Sequence, residues 1–423
     1  MEEQLDMGKD IHFVIATVGT SGDIYPFIEI GKYLLGRNCK VSFMTSPYFE
    51  KEIKANGLTF VPFGTAQQMV NALCDSNMWD AKHGFKCFWE KAIRPNIHGI
   101  RSFVQSLPRD EKVVILANAA VMALADLARV GRRDLKIILF YLSPTIIRTC
   151  FGKAALGDRL TIPARLPKIF RRMLWSLIDT KFLDVGVVPD LNAARAELGL
   201  AKIKHFFPHL QSAADLYVSL FPDWYAPPKP DYPQPLITGH FLLHTPSRYQ
   251  LSDELREFLD AGQAPILFTP GTGNMHARKF FEVAFDAVQE LGARAIFLTK
   301  FKDHLPAALP RSILWQRQVP FNELLPRASI VVHHGGIGTL AEASKAGIPQ
   351  VIVPSAYDQF DNALIVKDLG LGRSIPLRFL TKKRLFTALS QIQRSVDIQA
   401  NCKTVSLNFG ADVQIMEKVV AAL

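Results

Sequence analysis

Short apolar runs rich in β-branched residues alternate along this chain with longer stretches of helical spacing. That rhythm predicts repeated strand–helix–strand units built on parallel sheets. In the amino-terminal half the candidate strands are Phe13 to Val18, Val41 to Thr45, Phe60 to Phe63, Val113 to Ala117, Ile137 to Leu142 and Leu216 to Ser219. In the carboxy-terminal half they are Ile266 to Thr269, Ala295 to Leu298, Ile330 to His333 and Gln350 to Val353. Two helical regions are longer and more apolar than a crossover needs. One, Val70 to Leu107, carries Met78, Trp79, Phe85, Phe88, Trp89, Ile93 and Phe103; the other, Leu166 to Leu183, carries Phe170, Met173, Leu174, Trp175 and Phe182.

Between the halves, Phe221 to Gly239 holds six prolines, which stiffen the chain and forbid regular helix. A domain boundary is expected near residue 235. The division is into an amino-terminal domain (1–230), a carboxy-terminal domain (240–405) and a last helix (406–423) returning toward the first domain. The longest apolar stretch, Val113 to Ala125, is broken by Asn118 and stops at Asp126, so it is too short to span a membrane.

Composition narrows the function classes. At 423 residues, 48% hydrophobic and 21% charged, the chain is an ordinary globular one. Its +10 charge is spread thinly, in pieces such as Arg171-Arg172 and Lys382-Lys383-Arg384, without the basic and aromatic interleaving of a nucleic-acid surface. A phosphate-bearing small ligand or anionic lipid suits it better. The start, MEEQLDMGKD, lacks the basic and apolar parts of a signal peptide. Five cysteines without ligand spacing read as free thiols of a reducing cytosol.

Two turns at the carboxyl ends of expected strands hold the candidate chemistry, where doubly wound sheets bind ligands. The first is Thr17 to Asp23, in which glycines turn the backbone and Asp23 projects into the crevice. A tight turn with Asp23 as helix N-cap explains the same residues. The second, Ile330 to Pro354, contains His333-His334-Gly335-Gly336-Ile337-Gly338-Thr339. Backbone N–H groups at the start of the helix it opens suit a diphosphate, and His333 can add a donor. Adjacent histidines on a strand point apart, which argues against a metal. Downstream, Asp358, Gln359, Asp361 and Asn362 suit sugar hydroxyls or a helix cap. Gly271-Thr272-Gly273 forms a further glycine turn able to close over phosphates.

HHGGIGTLAEA, Asp358-Gln359 and GTSGDIYPF together resemble the family 1 glycosyltransferases, and the resemblance covers nearly the whole chain. Within them, Met78 to Trp89, LFPDWYAPP and AGIPQVIVPSAYDQFDNA are similar to the rhamnosyltransferases of rhamnolipid biosynthesis. The resemblance implies an α/β GT-B fold, two Rossmann-like doubly wound parallel-sheet domains facing a central cleft. It implies an inverting, metal-independent transfer with Asp23 as general base. Donor phosphates would fall to Gly271, Thr272, His333, Gly336, Gly338 and Thr339, and the sugar to Asp358 and Gln359. Base and ribose would meet Gln318, Val319, Phe321 and Glu342, and the acceptor would meet Thr20, Phe85, Phe88, Trp89 and Ile93. The aromatic members of that last set are of a kind more often found in a core than in a ligand pocket.

The implied donor is dTDP-L-rhamnose, a co-substrate with no further cofactor, and the implied acceptor is a hydroxyalkanoyloxy-alkanoate. A glucose donor with another hydrophobic acceptor, a non-catalytic sugar-nucleotide or lipid binder, and a sugar-nucleotide epimerase stay open. The expected location is cytoplasmic, with peripheral contact to the inner membrane or to the acyltransferase that makes the acceptor. One departure concerns the family's ribose-binding glutamate, eight residues after the motif histidine. Counted from His333 that position is Ala341, with Glu342 beside it. The family's tryptophan in the base-stacking loop is also missing, and Val319-Pro320-Phe321 stands there.

Overall fold

The computed structural model describes residues 11–158, 160–243, 250–273, 276–409 and 414–423. The opening segment MEEQLDMGKD therefore lies outside the described residues. The described residues within Met1–Lys153, Ile162–Leu242 and Asp412–Leu423 form one compact unit, and those within Ala154–Thr161 and Leu243–Ala411 a second.

Seven strands make the sheet of the first unit: β1 (Ile11–Ala16), β2 (Lys40–Thr45), β3 (Thr59–Pro62), β4 (Lys112–Asn118), β5 (Lys136–Tyr141), β8 (Leu216–Ser219) and β9 (Leu236–Thr238). A separate two-stranded ribbon, β6 (Ala154–Leu156) and β7 (Leu160–Ile162), accounts for the gap in numbering. The sheet order is β3-β2-β1-β4-β5-β8-β9, every pairing parallel. Strands buried on both faces need continuous apolar sequence, and β1 and β4 supply it. Phe13, Val14, Ile15, Ile115 and Leu116 are all buried. His12 fits this interior because its Nε2 pairs with Ser42 Oγ at 2.8 Å while Glu111 lies 3.3 Å from Nδ1.

In the second unit the sheet runs β12 (Ile313–Gln316), β11 (Ala295–Leu298), β10 (Ile266–Thr269), β13 (Ile330–His333), β14 (Gln350–Ile352) and β15 (Gly372–Ser374), again all parallel. Each sheet reverses direction beside its first strand, between β1 and β4 and between β10 and β13. Those switch points open a crevice at the carboxyl strand ends.

Five strands escaped the sequence pattern: β6, β7, β9, β12 and β15, each four residues or fewer. Leu236–Thr238 lies within the proline-rich segment, yet it pairs with β8 and extends the first sheet. The long helical region Val70–Leu107 is broken up. It contains helices Ala66–Cys74, Gly84–Phe88 and Gly99–Ser106, with a π-turn at Trp89–Ile93 and a 3₁₀ turn holding Pro95. A proline cannot donate to the helical ladder, and glycines weaken it on either side. The second long region is helix Lys168–Asp179, a π-turn Thr180–Asp184 and helix Val185–Glu197.

Candidate active site

Parallel pairing of β10 with β13 sets Thr269 opposite His333, so the turns that follow both strands leave the sheet side by side. His334 is where they meet. A Cβ on Gly271 would lie 2.6 Å from His334 Cε1, and one on Gly336 would lie 2.4 Å from Nε2. Only glycine leaves room for the ring, and Gly271 also has φ +92°, which favours glycine. Burial holds the His334 imidazole down at about 4, so it is neutral at physiological pH. Its Nδ1 is buried and, among the described residues, has no hydrogen-bond partner. An orphaned buried polar atom points to a group that completes it.

Next to this ring the helix Ile337–Lys345 begins, with Gly336 as its N-cap and no side chain capping it. The first N–H groups of a helix have no partner within it and carry the positive end of its dipole. Around Gly338 nothing lies within 4 Å of where a Cβ would stand, so backbone and ligand can approach closely there.

His333 is placed differently from its expected role as a phosphate donor. It is wholly buried in β13, its Nε2 bonded to Gln350 Oε1 at 2.9 Å and its Nδ1 accepting from Gly335 N at 3.2 Å. Burial holds it down at about 3. Gln350 Nε2 continues to Ser344 Oγ at 3.1 Å. Both ring nitrogens of His333 are thus spent on bracing the turn, and the histidine at the glycines is His334. This moves the register by one: eight residues after His334 stands Glu342. Burial raises Glu342 to about 7, with Lys345 opposing weakly.

Asp358 is the N-cap residue of helix Gln359–Asp368, and its Oδ2 accepts from Asn362 Nδ2 at 2.8 Å. Asn362 Nδ2 also reaches Gly335 O at 2.8 Å, which ties this helix to the histidine–glycine turn. Gln359 is buried, and its Oε1 accepts from Ser355 N (2.8 Å), Ala356 N (3.1 Å) and Ser355 Oγ (3.2 Å). Only its amide nitrogen is left for a ligand. Asp361 Oδ1 accepts from Ala155 N at 2.6 Å. Gln318 is exposed, while Val319 and Phe321 pack partly on the core around Leu324 and Leu325.

In the first unit, helix Ser21–Leu35 starts at Thr20. Asp23 is its third residue rather than its N-cap, and Asp23 Oδ2 accepts from Thr20 N at 2.8 Å. Thr17 Oγ1 donates to Asp23 O at 2.8 Å. A Cβ on Gly19 would fall 2.2 Å from Asp23 Oδ2, so that glycine lets the carboxylate fold back against the turn. Asn118, at the end of β4, donates from Nδ2 to Val18 O at 3.0 Å. Its Oδ1 has no hydrogen-bond partner among the described residues.

Residues 13–95 match the glycosyltransferase family 28 N-terminal domain, and residues 282–420 match the erythromycin biosynthesis protein CIII-like C-terminal domain. The chain is 24% identical over 398 residues to a sterol 3-beta-glucosyltransferase of Saccharomyces cerevisiae (strain YJM789), covering 90% of this chain and 32% of that protein. It therefore spans about a third of that relative's length. It is 27% identical over 366 residues to the glycosyltransferase GtfC of Amycolatopsis orientalis, covering 85% of this chain and 84% of that one. The crystal structure of the kitacinnamycin glycotransferase superposes with a TM-score of 0.71 at 18% identity, covering 97% of this chain and 98% of that one.

The chain has the GT-B fold. The amino-terminal match is to a glycosyltransferase domain, and both relatives are glycosyltransferases by name. Four side chains expected to line an acceptor pocket in this GT-B chain differ in fate. Phe88, Trp89 and Ile93 are buried core residues, and Trp89 Nε1 donates to Asp190 Oδ2 at 2.9 Å. Phe85 is half-buried against the Phe206 ring, 5.6 Å away. Large apolar side chains in such a region are taken up by packing. Sequence reasoning missed the part of His334 and of Gln350, and it gave Asn362 to a sugar or cap without its tie to the Gly335 turn. The eight-residue spacing back from Glu342 was the signal for His334, whereas Gln350 and Asn362 act through contacts no spacing reveals.

Proposed function

We propose that the chain transfers a sugar, with inversion, from a nucleoside diphosphate to the hydroxyl of an apolar acceptor. Asp23 takes the acceptor proton as the hydroxyl oxygen attacks the anomeric carbon, and the bond from that carbon to the diphosphate oxygen breaks. The charge released onto the diphosphate falls to His334, the turn at Gly271 and Thr272, and the N–H groups around Gly338 and Thr339. Glu342 accepts from the ribose, and Asp358 with the Gln359 amide nitrogen holds the sugar. The observation that carries this reading is the orphaned His334 Nδ1, wedged between two glycine turns at an uncapped helix start.

The finer reading is rhamnosyl transfer from dTDP-L-rhamnose to a hydroxyalkanoyloxy-alkanoate, supported by the sequence resemblance at Met78 to Trp89 and Ala346 to Ala363. A second reading, glucosyl transfer to a sterol, is favoured by the yeast relative, whose name states that activity. Mass-spectrometric transfer assays separate them. dTDP-rhamnose, dTDP-glucose and UDP-glucose are each offered with a hydroxyalkanoyloxy-alkanoate and with a sterol. Rhamnosylated lipid from dTDP-rhamnose alone is the expected product. Sterol glucoside replaces the first reading with the second, and no product from any pair overturns both.

A further inference from the structure

Helix Lys168–Asp179 is inverted relative to an ordinary surface helix. Its polar side faces the first unit. Arg171 is buried with Nη2 donating to Pro163 O at 2.6 Å, and Asp179 is buried against Arg148 at 2.7 Å. Trp175 Nε1 donates to Thr149 O at 3.0 Å, with the Arg148 guanidinium 4.3 Å above its ring. Its apolar side faces out. Ile169, Phe170, Met173 and Leu177 are 65, 58, 63 and 53% exposed. Their spacing, i, i+1, i+4 and i+8, gathers them in one stripe about a quarter-turn wide. Phe182 and Val185, in the turns that follow, are exposed as well. A group of large apolar side chains left in water marks an interaction surface.

Charge says what covers it. Arg165, Lys168, Arg172 and Lys181 are exposed along the same segment. The two acids between Pro163 and Val185, Asp179 and Asp184, are both buried and paired, Asp184 with His205 at 2.7 Å. Within residues 163–185 the exposed charges are thus all cations, and no carboxylate of that segment is exposed. A second copy docking by two-fold symmetry would set these cations against one another. An anionic phospholipid surface accepts both the apolar stripe and the segment's exposed cations.

We infer that the outward stripe of helix 168–179 is a peripheral docking surface for an anionic lipid bilayer. This goes beyond the transfer reading and is tested without any sugar nucleotide, so failure of one leaves the other standing.

The test is vesicle flotation of the full chain. Binding is expected to vesicles of phosphatidylcholine and phosphatidylglycerol in equal parts, and to be at least roughly tenfold weaker to pure phosphatidylcholine, as four surface cations imply. The triple variant Phe170→Ser, Met173→Ser, Leu177→Ser is expected to lose at least roughly tenfold in binding, since each removed side chain gives up apolar burial. Lys168→Glu with Arg172→Glu is expected to lose the preference for phosphatidylglycerol. Circular dichroism and sedimentation velocity confirm that each variant is folded and report its oligomeric state. Absence of wild-type flotation, or triple-variant binding equal to wild type, overturns the inference. So does a wild-type dimer that the triple variant dissociates while vesicles are ignored.

Discussion

The two glycine turns of this chain, one after β1 and one after β13, use the same device for opposite ends. Both follow a buried parallel strand and open a helix at the switch point of a doubly wound sheet. The first closes on itself: Thr20 N donates to Asp23 Oδ2, and Gly19 leaves no space there for a methyl group. The second stays open: its helix start is uncapped, and His334 presents an unsatisfied nitrogen. A helix start that supplies its own carboxylate holds a base; one that lacks a carboxylate waits for an anion. On the transfer reading proposed above, the same backbone motif serves proton chemistry in one unit and phosphate chemistry in the other.

That division makes separable predictions. The largest effect is expected for Asp23→Asn, whose amide oxygen can still accept from Thr20 N and so keep the turn. Its kcat should fall about a thousandfold while nucleoside diphosphate affinity, read by calorimetry, stays unchanged. A fall in affinity instead would show that the first turn binds the donor. Next comes His333→Ala. Loss of the buried ring and of its bond to Gln350 should cost about 3 kcal/mol in denaturant unfolding, with diphosphate affinity of the folded protein nearly kept.

His334→Ala should do the reverse. Affinity should weaken roughly 10- to 100-fold, the worth of one hydrogen bond to a charged group, and stability should hardly move. If His333 and His334 exchanged these outcomes, the one-residue shift in register would be wrong.

The smallest effect concerns Glu342. Its folded value of about 7 lies above the ordinary carboxyl range, so the folded protein keeps a proton that the unfolded chain gives up. The stability this group contributes is present at acid pH and is lost as pH rises from about 4.5 through 7. Glu342→Gln should therefore be more stable than wild type by about 1 to 2 kcal/mol at alkaline pH and equal to it near pH 4. An identical pH slope in both proteins would place Glu342 in solvent.

Strands and turns were legible in the sequence to different depths. Ile266–Thr269, Ala295–Leu298 and Ile330–His333 were readable to the residue, because an apolar run bounded by polar or turn residues leaves one register. β15, with the sequence Gly372-Arg373-Ser374, was not, since pairing with β14 and not its own pattern makes it a strand. In the candidate site the glycine-rich stretch announced a phosphate turn. Which histidine faced it depended on where the strand ends, and element ends are where pattern reading is weakest. The aromatic region around Trp89 was open for a different reason. Size and apolarity suit a pocket wall and a core equally, and only packing decides between them.

The last described helix, Gln414–Ala421, returns to the first unit. Ile415, Met416 and Val419 are buried, Ile415 presses on Gly239 beside β9, and Arg37 pairs with Glu417 at 2.9 Å. This has a consequence in time. The amino-terminal unit's strands are made first, yet its core includes Ile415, Met416 and Val419, which are made after every strand of the second unit. The carboxy-terminal unit, made in between, has all its strands available earlier. The first unit therefore cannot close its core before the second unit's strands exist.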